Sequence, residues 1–303
     1  MKKQKMEQIS KQNRLLAFVV IVITIEAILF SIGNYQRNQR IILEEEREER
    51  IQTALNNTPV LAKAISVFNI DKSKNIYGKD DQKSMPIASL AKIMTAITAL
   101  NFYDYEDVLS LSPKAISQAG DYGLLVGEKW KVSDMVKFTL ISSANDGAYA
   151  LLENPYNDFL GKMNLKARRM GAGHSFFMNY TGLDVNLSTG LNASAFSTAS
   201  ETNIMAMYLW KRHPEISAVT VLSEVSLKSE SGFTHVFKNT NPVIGKIPNL
   251  LFSKTGFTEL AGGNLNVIFK NKVGETLSVT VLGSTFEGRF SDMEKIVKVL
   301  YDL

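Results

Sequence analysis

Apolar residues divide the chain into one long N-terminal run and a larger region where apolar and polar positions alternate. Residues 1–14 are polar and basic, with Lys2, Lys3, Lys5, Lys11 and Arg14 against Glu7. Leu15 to Ile32 is then apolar, interrupted by Glu26 and a few small or hydroxyl residues. At about 1.5 Å per residue a helix of this length reaches roughly 27 Å, close to one bilayer crossing. The positive flank predicts a cytoplasmic N-terminus, with everything after the run outside. Ser31-Ile32-Gly33 also suits signal cleavage, which would leave a secreted product. The run exceeds a usual signal core, so a retained anchor over residues 15–33 is the expectation. Residues 34–58 carry Glu44-Glu45-Glu46-Arg47-Glu48-Glu49-Arg50, with Glu46 and Arg50 at i,i+4. That pattern predicts a solvated helical stalk, and no apolar heptad persists to make a coiled coil.

From residue 59 the pattern is that of a folded domain. Ala64 to Ile70 is strand-like, Asp71 to Asn75 is a turn, and Ile76-Tyr77-Gly78 returns as the second arm of a hairpin. From Ala88 to Leu100 good helix formers dominate and apolar residues point all round, predicting a buried helix. Pro86 in front of it suits a loop or the first helical position. Further helices are predicted at Val132–Ser142, with Ser133 and Asp134 near the start, and at Ala148–Leu152, Met163–Met170 and Ser200–Lys211. Val219–Leu227, Leu250–Ser253, Gly263–Phe269 and Leu277–Gly283 read as strands. Phe290–Leu303 reads as a closing amphipathic helix. Strands at both ends with helices between predict an α+β domain whose mixed sheet joins distant parts of the chain.

Composition adds mainly exclusions. The chain has 303 residues, 45% hydrophobic and 21% charged, ordinary for a globular protein. The net charge of +4 can come from the N-terminus alone, and no Lys/Arg stripe with interleaved aromatics suggests nucleic acid. Without Cys there is no disulfide, thiol chemistry or Cys-ligated metal. His174, His213 and His235 are scattered without metal-ligand spacing, so neither a zinc site nor a His-based triad is expected, and no cofactor is implied.

The candidate chemistry begins in the buried helix. Ser89 and Lys92 stand at i and i+3 on one face. Burial makes a lysine a better base, and the helix start favours a developing anion. The pair therefore fits an activated nucleophile beside its base. A capping Ser followed by an ordinary Lys is the alternative. Two further motifs favour chemistry. Ser143-Ala144-Asn145 falls between two predicted helices, and Lys254-Thr255-Gly256 ends an apolar run. A second hydroxyl and ammonium can relay protons, an amide can hold a carbonyl, and Lys with Thr can grip a carboxylate. Gly256 would let a substrate backbone lie against the strand.

In this order the three motifs resemble the penicillin-binding proteins and serine β-lactamases, whose Ser-x-x-Lys, Ser-x-Asn and Lys-Thr-Gly elements share one cleft. Pro86 to Ala96, Ser143 to Asp146, Thr181-Gly182-Leu183-Asp184 and Lys254 to Thr258 are closer to the low-molecular-mass D-alanyl-D-alanine carboxypeptidases. The resemblance covers roughly residues 60–303. It implies a transpeptidase-like α+β fold with a central antiparallel sheet flanked by helices. It also implies a serine carboxypeptidase that removes the terminal D-alanine from peptidoglycan pentapeptides and is acylated by β-lactams. Ser89 would be the nucleophile, Lys92 its base, and Ser143 the shuttle to the leaving amine. Asn145 would hold a substrate amide, Lys254 and Thr255 the terminal carboxylate, and the N–H groups of Ser89 and Phe257 the oxyanion. Arg289 matches a family arginine near the carboxylate, with a surface salt bridge as the alternative. His174 and Asp184 are expected to be structural.

The departures from the family are few. Ala91 stands where Thr is frequent, and Phe257 where several relatives carry a polar residue. The family's β-rich second domain and C-terminal amphipathic anchor are not expected here, the N-terminal run replacing the anchor. No Glu-x-x-Leu-Asn loop of the β-lactamases is found. A DD-endopeptidase acting on cross-links, or a catalytically idle partner in wall assembly, are the alternative functions.

Overall fold

The computed structural model describes residues 2–153 and 157–302 and divides into two units between residues 50 and 51. Helix α1 (Lys2–Asn56) makes up the first unit and supplies the first residues of the second. Among the described residues, no helix is long and apolar enough to cross a membrane. The spanning helix expected from hydropathy is thus not detected. Its run carries Glu26, and the side chains of Leu15, Ala17, Ile21, Val22, Ile25 and Ala27, like most of those in residues 1–14, lie outside the described residues.

The second unit, Ile51–Leu303, is built on a sheet of β1 (Ala64–Asn69), β2 (Lys74–Lys79), β3 (Leu250–Thr258), β4 (Gly262–Lys270) and β5 (Thr276–Ser284). Its order is β3-β4-β5-β1-β2 and every neighbouring pair is antiparallel. The sheet does join the two ends of the domain, since Ala64 pairs with Leu282 and Asn69 with Leu277. It is not mixed in direction, because hairpins and the returning β1 supply all its pairings.

Both faces of this sheet are covered. Leu277, Val279 and Val281 of β5 join Ile65, Val67, Leu265 and Val267 in one core. Helix α7 (Gly288–Asp302) closes that core with Phe290, Met293, Ile296, Val297 and Leu300, and Ile51 and Leu55 add to it. The other face packs on α6 (Ala199–Arg212), and it shares one core with α2 (Ala91–Phe102), α3 (Val132–Ile141), α4 (Asn145–Leu152) and α5 (Phe159–Arg169). Period-2 alternation then places Ser278 and Thr280 under α6, where a buried polar group needs a partner. Asn203 supplies it. Its Oδ1 accepts from Thr280 Oγ1 at 2.7 Å, Ser278 Oγ at 2.8 Å and Asn266 Nδ2 at 3.0 Å.

Three local expectations are corrected. Val219–Leu227 is not one strand: Ala218–Val221 is a 3₁₀ turn and only Glu224–Lys228 is strand, paired with Thr234–Lys238. Thr220 is held in the turn because its hydroxyl donates to Ser217 O and accepts from Ser253 N. Pro86 lies in a two-residue strand opposite Phe196, an extended conformation its fixed φ permits. The strand expected to end at Ser253 runs on to Thr258, because Lys254, Thr255 and Gly256 pair with Asn266, Leu265 and Asn264.

Candidate active site

Ser89 sits in a 3₁₀ turn, Ala88–Leu90, that leads directly into α2. Ala88 just before it has φ +48°, a left-handed conformation that costs energy in a residue with a Cβ. The neighbours fix it there. Gly182, itself at φ +77°, packs so close that a Cβ would lie 2.1 Å from Ala88 O. The turn is thus held in a strained geometry with Ser89 nearly buried, at 9% exposure.

Lys92 is fully buried one turn along. Its Nζ donates to Thr181 O at 2.7 Å, Asn145 Oδ1 at 2.8 Å and Ser89 Oγ at 2.9 Å. Burial pushes its pKa down to about 7, against the opposing pull of Asp146. Near neutral pH the amine is therefore in part uncharged, and its lone pair can accept the Ser89 proton. Burial in turn raises Asp146 to about 6, while the Gly147 N–H at 2.7 Å draws it back.

The second motif bends between α3 and α4. Ser143 takes φ +57°, which turns its hydroxyl to receive Lys254 Nζ at 2.8 Å. Asn145 opens α4. It spans two jobs, taking Lys92 on its oxygen and giving one Nδ2 hydrogen to Ala119 O at 2.6 Å. Lys254 on β3 also donates to Thr255 O at 2.9 Å. Burial, then the charges of Lys92 and Arg289, hold Lys254 well below the usual lysine range. Thr255 Oγ1 lies 2.6 Å from Thr240 Oγ1.

Gly256 joins the two halves. A Cβ there would stand 2.7 Å from Ile87 O, 3.1 Å from Leu90 N and 3.2 Å from Ser89 N. The space left by the missing side chain is therefore filled by the backbone of the Ser89 turn. Arg289 is not a surface salt bridge. It is 4% exposed, donates from Nη1 to Gly256 O at 2.8 Å, and lies 4.5 Å from the ring centres of both Phe286 and Phe290. Burial lowers its pKa to about 10. The Phe257 ring meets Phe286 edge-on, centroids 4.9 Å apart.

Every residue singled out from the three motifs thus falls in one cluster. His174 lies apart, bonded to Glu201 at 2.8 Å, and Asp184 accepts from Thr258 Oγ1 at 3.0 Å. Sequence reasoning missed the Thr181 carbonyl, the Ala119 carbonyl, Asp146 as a charge beside Lys92, and Thr240. Only Thr181 and Asp146 had a signal, as members of the quoted Thr-Gly-Leu-Asp and Ser-Ala-Asn-Asp motifs. Backbone acceptors leave no trace in residue type.

Residues 51–285 match the peptidase S11 family, described as D-alanyl-D-alanine carboxypeptidase. The D-alanyl-D-alanine carboxypeptidase DacF of Bacillus subtilis is 29% identical over 245 residues, covering 78% of this chain and 61% of that protein. A D-alanyl-D-alanine endopeptidase of Pseudomonas aeruginosa is 30% identical over 208 residues, covering 65% and 63%. The chain therefore spans about three fifths of the length of these curated relatives. Among solved structures, penicillin-binding protein D2 from Listeria monocytogenes in its ampicillin-bound form is similar at 30% identity and TM-score 0.65, covering 80% of this chain and 98% of that one. A D-alanyl-D-alanine carboxypeptidase from Mycobacterium tuberculosis shares the fold, with TM-score 0.72 at 21% identity over 81% of this chain and 93% of that one.

Proposed function

The chain belongs to the D-alanyl-D-alanine carboxypeptidase family, and from that premise we propose that it removes the terminal D-alanine from peptidoglycan stem peptides through an acyl-enzyme. The contact between Lys92 Nζ and Ser89 Oγ at 2.9 Å carries the proposal. Ser89 Oγ attacks the carbonyl carbon of the penultimate D-alanine while its proton passes to uncharged Lys92. Asn145 Oδ1 and the Thr181 carbonyl keep that amine aimed at Ser89. The oxyanion forms against the N–H groups of Ser89 and Phe257. Ser143, bonded to Lys254, delivers a proton to the leaving amine, and D-alanine departs. The proton that Lys92 took replaces the one given up by Ser143. Water then attacks the ester carbonyl while its proton passes to the freed Lys92 amine, which returns it to Ser89 as the ester breaks.

The substrate carboxylate is taken by Lys254 and Thr255, with the buried Arg289 guanidinium behind Gly256 adding positive charge. Asn145 keeps a second Nδ2 hydrogen for a substrate carbonyl. Penicillins, whose carboxylate and strained amide mimic the same groups, acylate Ser89. The ampicillin-bound state of the Listeria relative supports this.

A DD-endopeptidase that cuts cross-links with the same residues is the second reading, favoured by relatives of that name in Pseudomonas aeruginosa and Escherichia coli. A catalytically idle wall-assembly partner is the third. Residues 15–33 would anchor the chain in the plasma membrane, with residues 1–14 cytoplasmic, residues 34–58 a stalk and residues 59–303 outside. Cleavage near Gly33 would release the enzyme instead. The basic flank and the apolar run support the anchor.

The test is product analysis on defined muropeptides, with a fluorescent penicillin alongside. Release of D-alanine from a pentapeptide monomer is expected. Cleavage of dimers alone would favour the endopeptidase, and absence of both labelling and hydrolysis the idle partner.

A further inference from the structure

Away from the Ser89 cleft, α5 and α6 enclose a second feature that the reaction does not use. A cavity of about 370 Å³ lies between them, lined by Lys166, Arg169, Lys211 and Arg212 around Tyr208 and by the apolar Met170, Ile204 and Met207. A neighbouring cavity of about 240 Å³ shares Lys166 and Arg169 and continues to Lys162 and Phe102. Lys166 and Arg169 form a wall of both, so the two adjoining cavities, taken as one groove, carry five cations between them. The α2 helix separates it from the nucleophile, its C-terminal Phe102 being about 16 Å along the axis from Ala91.

The charge is one-sided. Helix α5 contains Lys162, Lys166, Arg168 and Arg169 and not one carboxylate. The single carboxylate of α6, Glu201, sits in its first turn, engaged by His174 and Ser175. Glu215, close enough to act on His213 together with Arg212 and Lys166, belongs to a separate cluster in which the Tyr105 hydroxyl bonds His213 Nδ1 at 2.6 Å. Among the described residues, none of the five groove cations forms an ion pair.

Cations at helix C-termini favour the helix dipole, which accounts for part of this set. It does not account for Lys162, which lies in the first turn of α5 where positive charge is disfavoured. Lys162 donates to Asn157 Oδ1 at 3.1 Å and stands over the Phe102 ring at 4.5 Å, and Lys166 stands over the Tyr208 ring at 4.7 Å, so each ammonium lies beside an aromatic face on the groove wall. Lys166 also bonds Tyr208 Oη at 2.9 Å, tying the two helices across the opening. Three point-like ammoniums and two forked guanidiniums suit phosphate oxygens. Five cations distributed over two adjoining cavities with shared walls suit a chain of anions rather than a single one.

We propose that the groove from Lys162 through Lys166 and Arg169 to Lys211 and Arg212 binds an extended polymer of repeating phosphates, holding it while the Ser89 cleft works on the peptide.

The test uses the full chain and long-chain sodium polyphosphate, with inorganic phosphate and phosphatidylglycerol vesicles as comparison probes. The R169E/K211E double variant is set against K270E/K272E, which changes the net charge equally at exposed positions elsewhere. Polyphosphate should bind far more tightly than inorganic phosphate. R169E/K211E should weaken it by about tenfold or more and lower the salt slope by about 2, with the control near wild type. Penicillin acylation should be unchanged in both. The proposal is overturned if the two variants lose polyphosphate equally, if polyphosphate binds no better than phosphate, or if R169E/K211E loses only vesicle binding, which would make the face a lipid contact.

Discussion

Lys92 Nζ and Ser89 Oγ lie 2.9 Å apart in a site where both side chains are almost completely shielded from water. The separation is a hydrogen bond, and burial holds the amine at about 7, so its protonation state changes in the range where the enzyme would work. Below that value the ammonium cannot take the Ser89 proton. The rate of acylation by benzylpenicillin should therefore fall about tenfold per pH unit below 7 and level off above it. The same shift affects stability. Between about 7 and 10.5 the unfolded chain binds a proton that native Lys92 does not, so the cost of this burial is full below 7 and is relieved as pH rises. Thermal melts of Lys92→Met should show a flatter rise of stability across that window. A wild-type acylation profile without an inflection near 7 would contradict the role given to Lys92.

Ser89→Ala should abolish covalent labelling by a fluorescent penicillin with its circular dichroism and melting temperature near wild type, because only one small hydroxyl is removed. Labelling of the variant at the wild-type rate would move the nucleophile elsewhere.

Gly256→Ala tests the contact between β3 and the Ser89 turn. The added Cβ would lie 2.7 Å from Ile87 O, so the turn must move. Overpacking of this kind costs about 1–3 kcal/mol, and displacement of a nucleophile by about 1 Å can cost about 100-fold in rate. Denaturant melts and penicillin acylation kinetics should show both losses. Normal acylation in a destabilised variant would mean that the turn is held by other contacts.

Lys254→Ala should lower kcat/KM for a free-acid peptide by roughly 10–100-fold, the worth of a hydrogen bond to a charged group. Wild type should prefer the free acid to its C-terminal amide, and the variant should lose most of that preference. Equal turnover of acid and amide by wild type would refute the carboxylate role.

The N-terminal run is expected to stay attached. Mass spectrometry of the mature chain should find residues 1–33 present, and the protein should resist salt extraction from membranes. A mature chain beginning at Asn34 would indicate a secreted enzyme.

What the amino-acid sequence determined by itself was local. The strand-like run from Ala64 to Ile70, the all-round apolar helix after Ala88 and the three motifs could each be read over a few residues, because they depend on neighbours in the chain. Only the tertiary structure decided which distant groups meet. The pairing of β1 with β5 closes the sheet across more than 200 residues of chain, and a strand does not encode its partner. The Thr181 and Ala119 carbonyls that hold Lys92 and Asn145 are backbone atoms, which every residue carries, so sequence could not single them out. Gly256 was legible as a glycine, but the Ser89 turn that fills its space became visible only when two segments about 170 residues apart were packed together. The lowered pKa of Lys92 has the same origin, since burial is a property of everything packed around a group and not of the residue itself.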